Sequence, residues 1–283
     1  MDDAPTSTLA RPAAIPSAPA AEPPVPPAQR VPWLQAGPGA RAPGRDRRTI
    51  AVVGACGGAG VSTLAAALAQ GLRRSGEGAV LIDLDLPGPG VDVLLGIEDE
   101  PGARWPELAA ARGDVDGLGL VAALPRWRSV PVLSGTRLGP ERPDDAVVVD
   151  VCTGLLRAGE TVVLDLPCPG AWTAASRMLV AAADVVLLVT PCTATGVAGA
   201  LAVRAALADL GATEPWLVAR RPAPGRIDVA TLEDALGLRV VASPRWDPRL
   251  AAATDRGDGP PVGRRTPLGR AVGALVGVLA GAP

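Results

Sequence analysis

The chain has 283 residues, which is long enough for one sizeable domain with appendages. Its formal net charge is −2, so charge does not favour nucleic acid as a main partner, and no specific nucleic-acid contact is predicted. All 27 basic residues are arginines, and histidine is absent. The composition therefore excludes histidine acid–base chemistry, histidine metal sites and any lysine contributed by a distant segment or by an identical subunit.

The first 48 residues predict a tail that cannot bury a core. They hold 11 of the 31 prolines, mixed with alanine and serine, and they lack a periodic apolar pattern. This composition is typical of a disordered, partly polyproline II segment over residues 1–48. The acidic, proline-rich start predicts no secretory signal, and the four cysteines lack C-x-x-C spacing. We therefore expect a cytoplasmic protein without a zinc or redox motif.

The stretch TIAVVGACGGAGVSTLAAALAQGL, residues 49–72, predicts a strand, a glycine-rich loop and a helix. That order is typical of a phosphate-binding loop, because the glycines let successive main-chain N–H groups converge on a phosphate at the start of a helix. The predicted phosphate-binding residues are Gly57, Gly58, Ala59, Gly60, Val61, Ser62 and Thr63. Against the pattern G-x-x-x-x-G-K-[ST], the sequence has Ala55 at the first glycine and Val61 at the lysine. The loop therefore keeps its main-chain cradle and lacks its cation.

From residue 49 onward, apolar runs alternate with helical patterns. Strands are predicted at 49–54, 79–84, 161–166, 184–190, 215–219 and 239–242. Helices are predicted near 62–75, 144–157, 172–182, 196–210 and 228–236, followed by a last helix capped by Thr266. Continuous apolar strands joined by crossovers of this length are parallel and buried on both faces. The sequence thus predicts a doubly wound α/β domain over residues 49–283, with helices on both faces of a mostly parallel sheet.

Two segments of this domain are interpreted from their local pattern. Residues 97–143 predict one or two short helices and a strand near 129–134, and we interpret them as an insertion within the same domain. The last helix has one apolar face, made by Leu268, Val272, Leu275, Val276 and Leu279. We expect that face to pack against the sheet, with a membrane surface as the alternative. The uncharged stretch 185–203 is interrupted by Thr, Pro and Gly, so it is not a predicted membrane span.

Three aspartates follow predicted strands at the edge where an α/β sheet binds its ligands. Asp83 and Asp85 lie in the run AVLIDLDL, and Asp165 lies in TVVLDL. Carboxylates at such strand ends, beside a phosphate loop, commonly face a hydrated Mg²⁺. In the alternative interpretation each aspartate only caps the turn that follows its strand.

Several separated motifs occur in a fixed order along the chain: GACGGAGVST, LIDLDL…VDVLLG, VVLDLP and ADVVLLVTP. Together they resemble the deviant Walker A ATPases of the MinD/ParA group, over about residues 49–280. The segment GIEDEPGARWPELAAARGDVDGLGLVAALPR is most similar to the CpaE-like, septum-site-determining (Ssd) branch found near Tad pilus and secretion loci in actinobacteria. The resemblance implies a P-loop NTPase of the SIMIBI/MinD type, with ATP and Mg²⁺ as cofactors.

The resemblance also implies roles for individual residues. Ser62 and Thr63 would supply hydroxyls to Mg²⁺ and the phosphates. Asp85 would orient the attacking water, and Asp165 would hold Mg²⁺ through water, which makes these two aspartates the candidate catalytic residues. The candidate metal site consists of Ser62, Asp83 and Asp165.

The same resemblance identifies what this chain lacks. The family pattern K-G-G-x-G-K-[ST] places its two lysines at Cys56 and Val61. Phosphoryl transfer depends on electrostatic stabilisation, and losing one stabilising group costs on the order of 10²–10³ in rate. We therefore expect weak or absent hydrolysis, and no arginine that could replace these lysines is evident from the sequence.

The expected function is that of a CpaE/Ssd-like spatial regulator of septum placement or of Tad pilus and secretion assembly. Its partners would be proteins of the division or pilus and secretion machinery, with a homodimer and peripheral membrane contact through partners as further expectations. Two alternatives stay open: an active Mg²⁺-dependent ATPase, and a structural scaffold whose loop binds no nucleotide. Cys56, Cys168 and Cys192 follow predicted strands and could cluster at the site, where small buried thiols are favoured over a redox or metal role.

Overall fold

The computed structural model of the protein describes residues 47–86, 88, 90–136, 142–221 and 227–281. The tail predicted over residues 1–48 lies outside this part of the chain, except for Arg47 and Arg48. The predicted domain from residue 49 onward is described apart from the short gaps.

One eight-stranded sheet forms the centre of the structure. Its strands are β1 Thr49–Gly54, β2 Ala79–Asp83, β3 Arg126–Trp127, β4 Val130–Leu133, β5 Thr161–Asp165, β6 Val185–Pro191, β7 Trp216–Arg220 and β8 Val240–Ala242. They lie in the order β3-β4-β2-β5-β1-β6-β7-β8, and only the β3–β4 pair is antiparallel. β1 lies between β5 and β6, near the middle of the sheet. The predicted doubly wound, mostly parallel α/β fold is confirmed.

Helices cover both faces of this sheet. They are α1 Val61–Ser75, α2 Val91–Leu95, α3 Gly117–Ala123, α4 Asp145–Arg157, α5 Ala174–Ala181, α6 Ala194–Asp209, α7 Val229–Leu236, α8 Arg249–Asp255 and α9 Pro267–Gly281. Alternate residues of a strand point to opposite faces, so Ile50 and Val52 pack with α1 and α9, whereas Ala51 and Val53 pack with α4, α5 and α6. The sheet thus lies between two apolar cores. Its strands are buried, as their apolar sequences predicted.

Local hydrogen bonds set the ends of α7 and α9, and the cap predicted at Thr266 is present. The Asp228 side chain accepts the N–H of Thr231 at 2.8 Å, and α7 ends at Gly237, whose φ is 63°. The Thr266 hydroxyl oxygen accepts the N–H of Gly269 at 3.0 Å at the start of α9. These local bonds fix where the helices begin and end, as expected for Asp and Thr caps and a left-handed glycine.

The segment 97–143 contributes β3 and β4 to the same sheet. The strand predicted near 129–134 is β4, which pairs with β2. Trp105, in a short 3₁₀ helix, is buried and donates its indole N–H to the Asp83 carbonyl at 2.9 Å. The segment therefore supports the end of the strand that carries the candidate carboxylates.

The apolar face of α9 packs onto α1 and β8, as expected for a helix that belongs to the fold. The contact with α1 is close because Gly71 faces Val272, and a Cβ at Gly71 would overlap the valine side chain. Across the described ranges, no helix combines the length and hydropathy needed to cross a membrane.

Candidate functional site

The loop between β1 and α1 forms a cradle that opens to solvent. Gly58 and Gly60 have φ values of 71° and 95°, which place both in the left-handed region that glycine adopts without strain. Gly57 and Gly58 are exposed, and a Cβ added at either would meet no atom within 4 Å. Among the described residues no side chain caps α1, so its first N–H groups are available to a ligand. The loop can therefore bind an anion through main-chain donors and the positive end of a 15-residue helix.

A cavity of about 360 Å³ lies over this cradle. It is lined by residues 56–63 of the loop, by the three candidate aspartates Asp83, Asp85 and Asp165, and by Cys168 and Arg220. β2 and β5 are adjacent and in register at Asp83 and Asp165, so the two strand ends present their carboxylates to the same space. The sheet thus brings the acidic residues and the loop together.

Asp83 organises the chain that follows β2. One of its carboxylate oxygens accepts the N–H of Asp85 at 2.9 Å, and the other accepts the N–H of Val91 at 3.0 Å. Burial raises the pKa of Asp83 from 3.8 to about 6, against the opposing effect of these two hydrogen bonds. The two bonds hold the main chain at Asp85 and at Val91 against Asp83, and both residues line the cavity.

Asp165 is the candidate residue with unused bonding capacity. It is 1% exposed, and its Oδ1 has no hydrogen-bond partner in the described structure. Burial, and then the charge of Asp83, raise the pKa of Asp165 well above its usual range, whereas a hydrogen bond from the Ser62 side chain lowers it. An unpaired buried carboxylate oxygen is costly, so this atom is suited to a cation or to a water bound to one.

Arg220, the last residue of β7, reaches across β6 to the phosphate loop. Its Nη1 donates to the carbonyl oxygen of Gly58 at 2.8 Å. Its side chain also lies over Gly60, where an added Cβ would be 3.5 Å from both Cδ and Nε of the arginine. The guanidinium therefore places a positive charge at the rim of the cradle.

A second, smaller cavity of about 60 Å³ lies on the β7 and β8 side of the loop. Its lining includes the apolar side chains of Leu64, Pro244 and Trp246. Trp246 is 46% exposed, which is unusual for a side chain of this size and leaves part of its indole accessible. Arg220 lines both cavities, so they adjoin at this residue.

Comparison with known proteins gives a family match, a sequence relative and two similar structures. Residues 46–112 match a ParA family model described as NUBPL iron-transfer P-loop NTPase. The chain is 41% identical over 246 residues to the uncharacterized protein Rv3660c of Mycobacterium tuberculosis, an alignment that covers 87% of this chain and 67% of the relative. The septum site-determining protein MinD of Pyrococcus horikoshii, complexed with Mg-ADP, superposes with a TM-score of 0.69 at 20% identity, covering 83% of this chain and 98% of that one. The MinC:MinD complex of Aquifex aeolicus superposes with a TM-score of 0.67 at 20% identity, covering 83% of this chain and 96% of that one.

The chain belongs to one family with Rv3660c, its residues 46–112 match the ParA model, and its fold is that of MinD/ParA-like P-loop NTPases. In this MinD/ParA-like protein the loop, the strand-end aspartates and the cavity occupy one edge of the sheet, which is where an α/β sheet binds its ligands. Across the described residues, no three Cys, Asp or Glu side chains group closely enough to hold a metal by themselves.

The expectation that three cysteines cluster at the site is correct for two of them. Cys56 and Cys168 line the large cavity, whereas Cys192 is buried and does not line it. All three are free thiols, but Cys56 is half-buried and Cys168 is exposed, so the expectation of buried thiols is wrong for these two. Arg220 was not among the predicted site residues, and its only signal in the sequence is its position directly after the predicted strand 215–219.

Proposed function

We propose that this MinD/ParA protein is a CpaE/Ssd-like spatial regulator that binds an adenine nucleotide and hydrolyses it weakly or not at all. The pathway would be septum placement, or assembly of a Tad-type pilus or secretion system. The observation that carries the proposal is the loop itself: its cradle is open, whereas Cys56 and Val61 stand where the superfamily pattern has lysine.

Mg²⁺ fits the residues present, because Asp165 carries a buried oxygen without a partner beside the Ser62 hydroxyl. Ser62 and Asp165 would hold the ion, the aspartate through water. Bound Mg²⁺ supplies charge that neutralises phosphate oxygens and the buried carboxylates. Asp83 already accepts two main-chain N–H groups, so we assign it the positioning of Asp85 rather than direct coordination.

The small cavity supports an adenine nucleotide rather than a simple anion. It adjoins the cradle at Arg220, and its walls at Leu64 and Pro244 are apolar. The accessible indole of Trp246 offers a ring face on which a flat base can stack. A ligand with phosphates in the cradle and a base at this wall would use both cavities at once.

Weak hydrolysis follows from the missing charge. Each lost electrostatic contact of this kind typically lowers the rate on the order of 10²–10³. Asp85 is retained and would orient a water, but the charge that builds on the phosphate oxygens lacks both lysines. The loss of the lysines should therefore impair nucleotide binding less than nucleotide hydrolysis.

Nucleotide titration tests the proposal. We expect full-length protein to bind N-methylanthraniloyl-ATP saturably with Mg²⁺ and to release it to unlabelled ATP. The double substitution Cys56→Lys and Val61→Lys should tighten binding by about tenfold or more, since a hydrogen bond to a charged group contributes about 1.5–3 kcal/mol. The matched control is Leu118→Lys with Leu201→Lys, which adds the same charge at two exposed positions. Wild-type protein that shows no saturable binding would instead be a structural scaffold.

Arg220 supports one alternative, an active Mg²⁺-dependent ATPase with its charge supplied by arginine. The proposal itself predicts that wild-type protein releases phosphate from ATP at a rate near background. Steady release by wild-type protein that Asp85→Ala abolishes would establish this alternative in place of the proposal.

Partner proteins are proposed from the relatives. MinD of Aquifex aeolicus is found in a complex with MinC, and we propose that this chain likewise binds a protein of the division or pilus machinery, as a monomer or homodimer. Peripheral membrane contact would come through that partner. Affinity purification from the host with and without Mg-ADP tests this, and enrichment of neither machinery would contradict the assigned pathway.

A further inference from the structure

We propose that Arg220 is the phosphate-binding cation of this protein, replacing from a distant strand the lysines that the loop lacks. This inference rests on the proposed function, since it concerns the same site, and it names the ligand class as a di- or triphosphate group. The chain has no lysine at all, so any cationic side chain at the cradle must be an arginine.

The fold explains how a residue so far along the chain reaches the loop. β7 pairs with β6, and β6 pairs with β1, so the carboxyl ends of β7 and β1 are two strands apart on the same edge of the sheet. A long arginine side chain spans this separation and bonds to the Gly58 carbonyl at 2.8 Å. The aliphatic part of the side chain lies against the loop at Gly60.

The charge of Arg220 is available to a ligand. Its one hydrogen bond within the described residues is to a neutral carbonyl, and no described carboxylate forms an ion pair with it. A guanidinium has five N–H donors, so one bond to Gly58 leaves the others free for phosphate oxygens. The fixed bond also reduces the conformational entropy lost when a phosphate binds.

The cavity needs such a charge because its other ionisable walls are acidic. Asp83, Asp85 and Asp165 all line it, and among the described lining residues Arg220 is the only basic one. A phosphate entering without a cation would meet three carboxylates. Among the described residues, Arg221 and Arg245 line only the small cavity, and Arg221 donates to the Ser243 hydroxyl.

Arg220 could instead have a purely structural role, in which it holds the conformation of the loop. Two variants distinguish this role from phosphate binding. Arg220→Lys keeps the charge and changes the bond geometry, whereas Arg220→Gln keeps a hydrogen-bond donor and removes the charge. The matched control is Arg126→Gln, an exposed arginine at the far edge of the sheet that also donates to a main-chain carbonyl, that of Val121.

The experiment compares full-length wild type with the three variants. Affinity is measured for ADP with Mg²⁺ and, by competition, for adenosine. Binding of inorganic pyrophosphate is measured by the protection of Cys56 from alkylation. We expect Arg220→Gln to weaken ADP and pyrophosphate on the order of 10- to 100-fold, as for loss of a charged hydrogen bond. Adenosine should bind equally, Arg220→Lys should recover most of the affinity, and Arg126→Gln should match wild type.

The outcomes divide the two hypotheses. Equal ADP and pyrophosphate binding by wild type and Arg220→Gln overturns the role of Arg220 while leaving nucleotide binding intact. If the affinities for ADP and adenosine fall in parallel and Arg220→Lys does not restore them, Arg220 only maintains the conformation of the loop. If ADP fails to bind but pyrophosphate protection depends on Arg220, the adenine-nucleotide function is wrong and the arginine assignment holds. If wild type binds neither probe, both are wrong.

Discussion

Asp83 and Asp165 make the stability of the metal-free protein depend on pH. Both carboxyls are buried at the ends of adjacent strands, and both pKa values are raised, chiefly by burial. A group whose pKa is higher in the folded than in the unfolded chain stabilises the fold below its unfolded pKa, and this stabilisation is lost as the pH rises through the folded value. Metal-free protein should therefore become less stable as the solution moves from mildly acidic to mildly alkaline.

The magnitude follows from the Asp83 carboxyl, whose pKa moves from 3.8 to about 6. This difference corresponds to about 3 kcal/mol of unfolding free energy once the pH is well above both values. About half of it is lost between pH 5 and pH 8, because the unfolded carboxyl has mostly ionised by pH 5 and the folded one has not. Asp165 acts in the same direction, so the total fall should exceed the contribution of Asp83.

Urea unfolding in EDTA at pH 5, 6, 7 and 8 measures this fall directly. Asp165→Asn should reduce it, because the amide keeps an acceptor for Ser62 and removes one of the two coupled charges. Asp209→Asn, at the exposed end of α6, is the matched control and should keep the wild-type slope. A stability that stays constant or rises from pH 5 to pH 8, or an Asp165→Asn variant with an unchanged slope, would refute the reasoning.

Two further predictions concern packing and thiol access. Gly71→Ala should lower the unfolding free energy by about 1–3 kcal/mol, because the new methyl group overlaps the Val272 side chain of α9. Gly273→Ala, also within a helix but with open space around its Cβ, should be neutral or stabilising by up to about 1 kcal/mol, and equal urea midpoints for the two would contradict the close α1–α9 contact. In native protein at pH 8, maleimide should modify Cys56, and Mg-ADP should slow that reaction. Cys152 should react only after unfolding, because burial raises its thiol pKa to about 12, and early labelling of Cys152 by mass spectrometry would argue against the buried α4 face.

The sequence predicted the main strands and helices well because their patterns are long and uninterrupted. The run at 161–166 became β5 Thr161–Asp165, buried throughout, and the pattern at 62–75 became α1 Val61–Ser75. β3, α2 and α8 were missed, since they span two, five and seven residues and are too short for a periodic pattern to register.

The part of the site that lies at the carboxyl ends of the strands could be predicted from the sequence. Parallel strands bring their carboxyl ends to one edge, so Asp83, Asp85 and Asp165 were expected together, and they line one cavity. The hydrogen bonds that Asp83 accepts from Asp85 and Val91 could not be predicted from spacing, because they depend on where those two main-chain N–H groups lie in three dimensions.

Arg220 could not be predicted because its role depends on strand order rather than on local sequence. A β7 placed elsewhere would carry the same arginine far from the loop, and only the order β1-β6-β7 brings it to Gly58. The same geometry gives a physical reason for the proposed difference between nucleotide binding and hydrolysis. A lysine at Val61 would belong to the loop, whereas a guanidinium held on a carbonyl at the rim is already oriented before any charge develops on the phosphate. If that guanidinium binds the ground state and the transition state equally, it raises affinity without raising the rate, as expected for a sensor of nucleotide rather than an efficient ATPase.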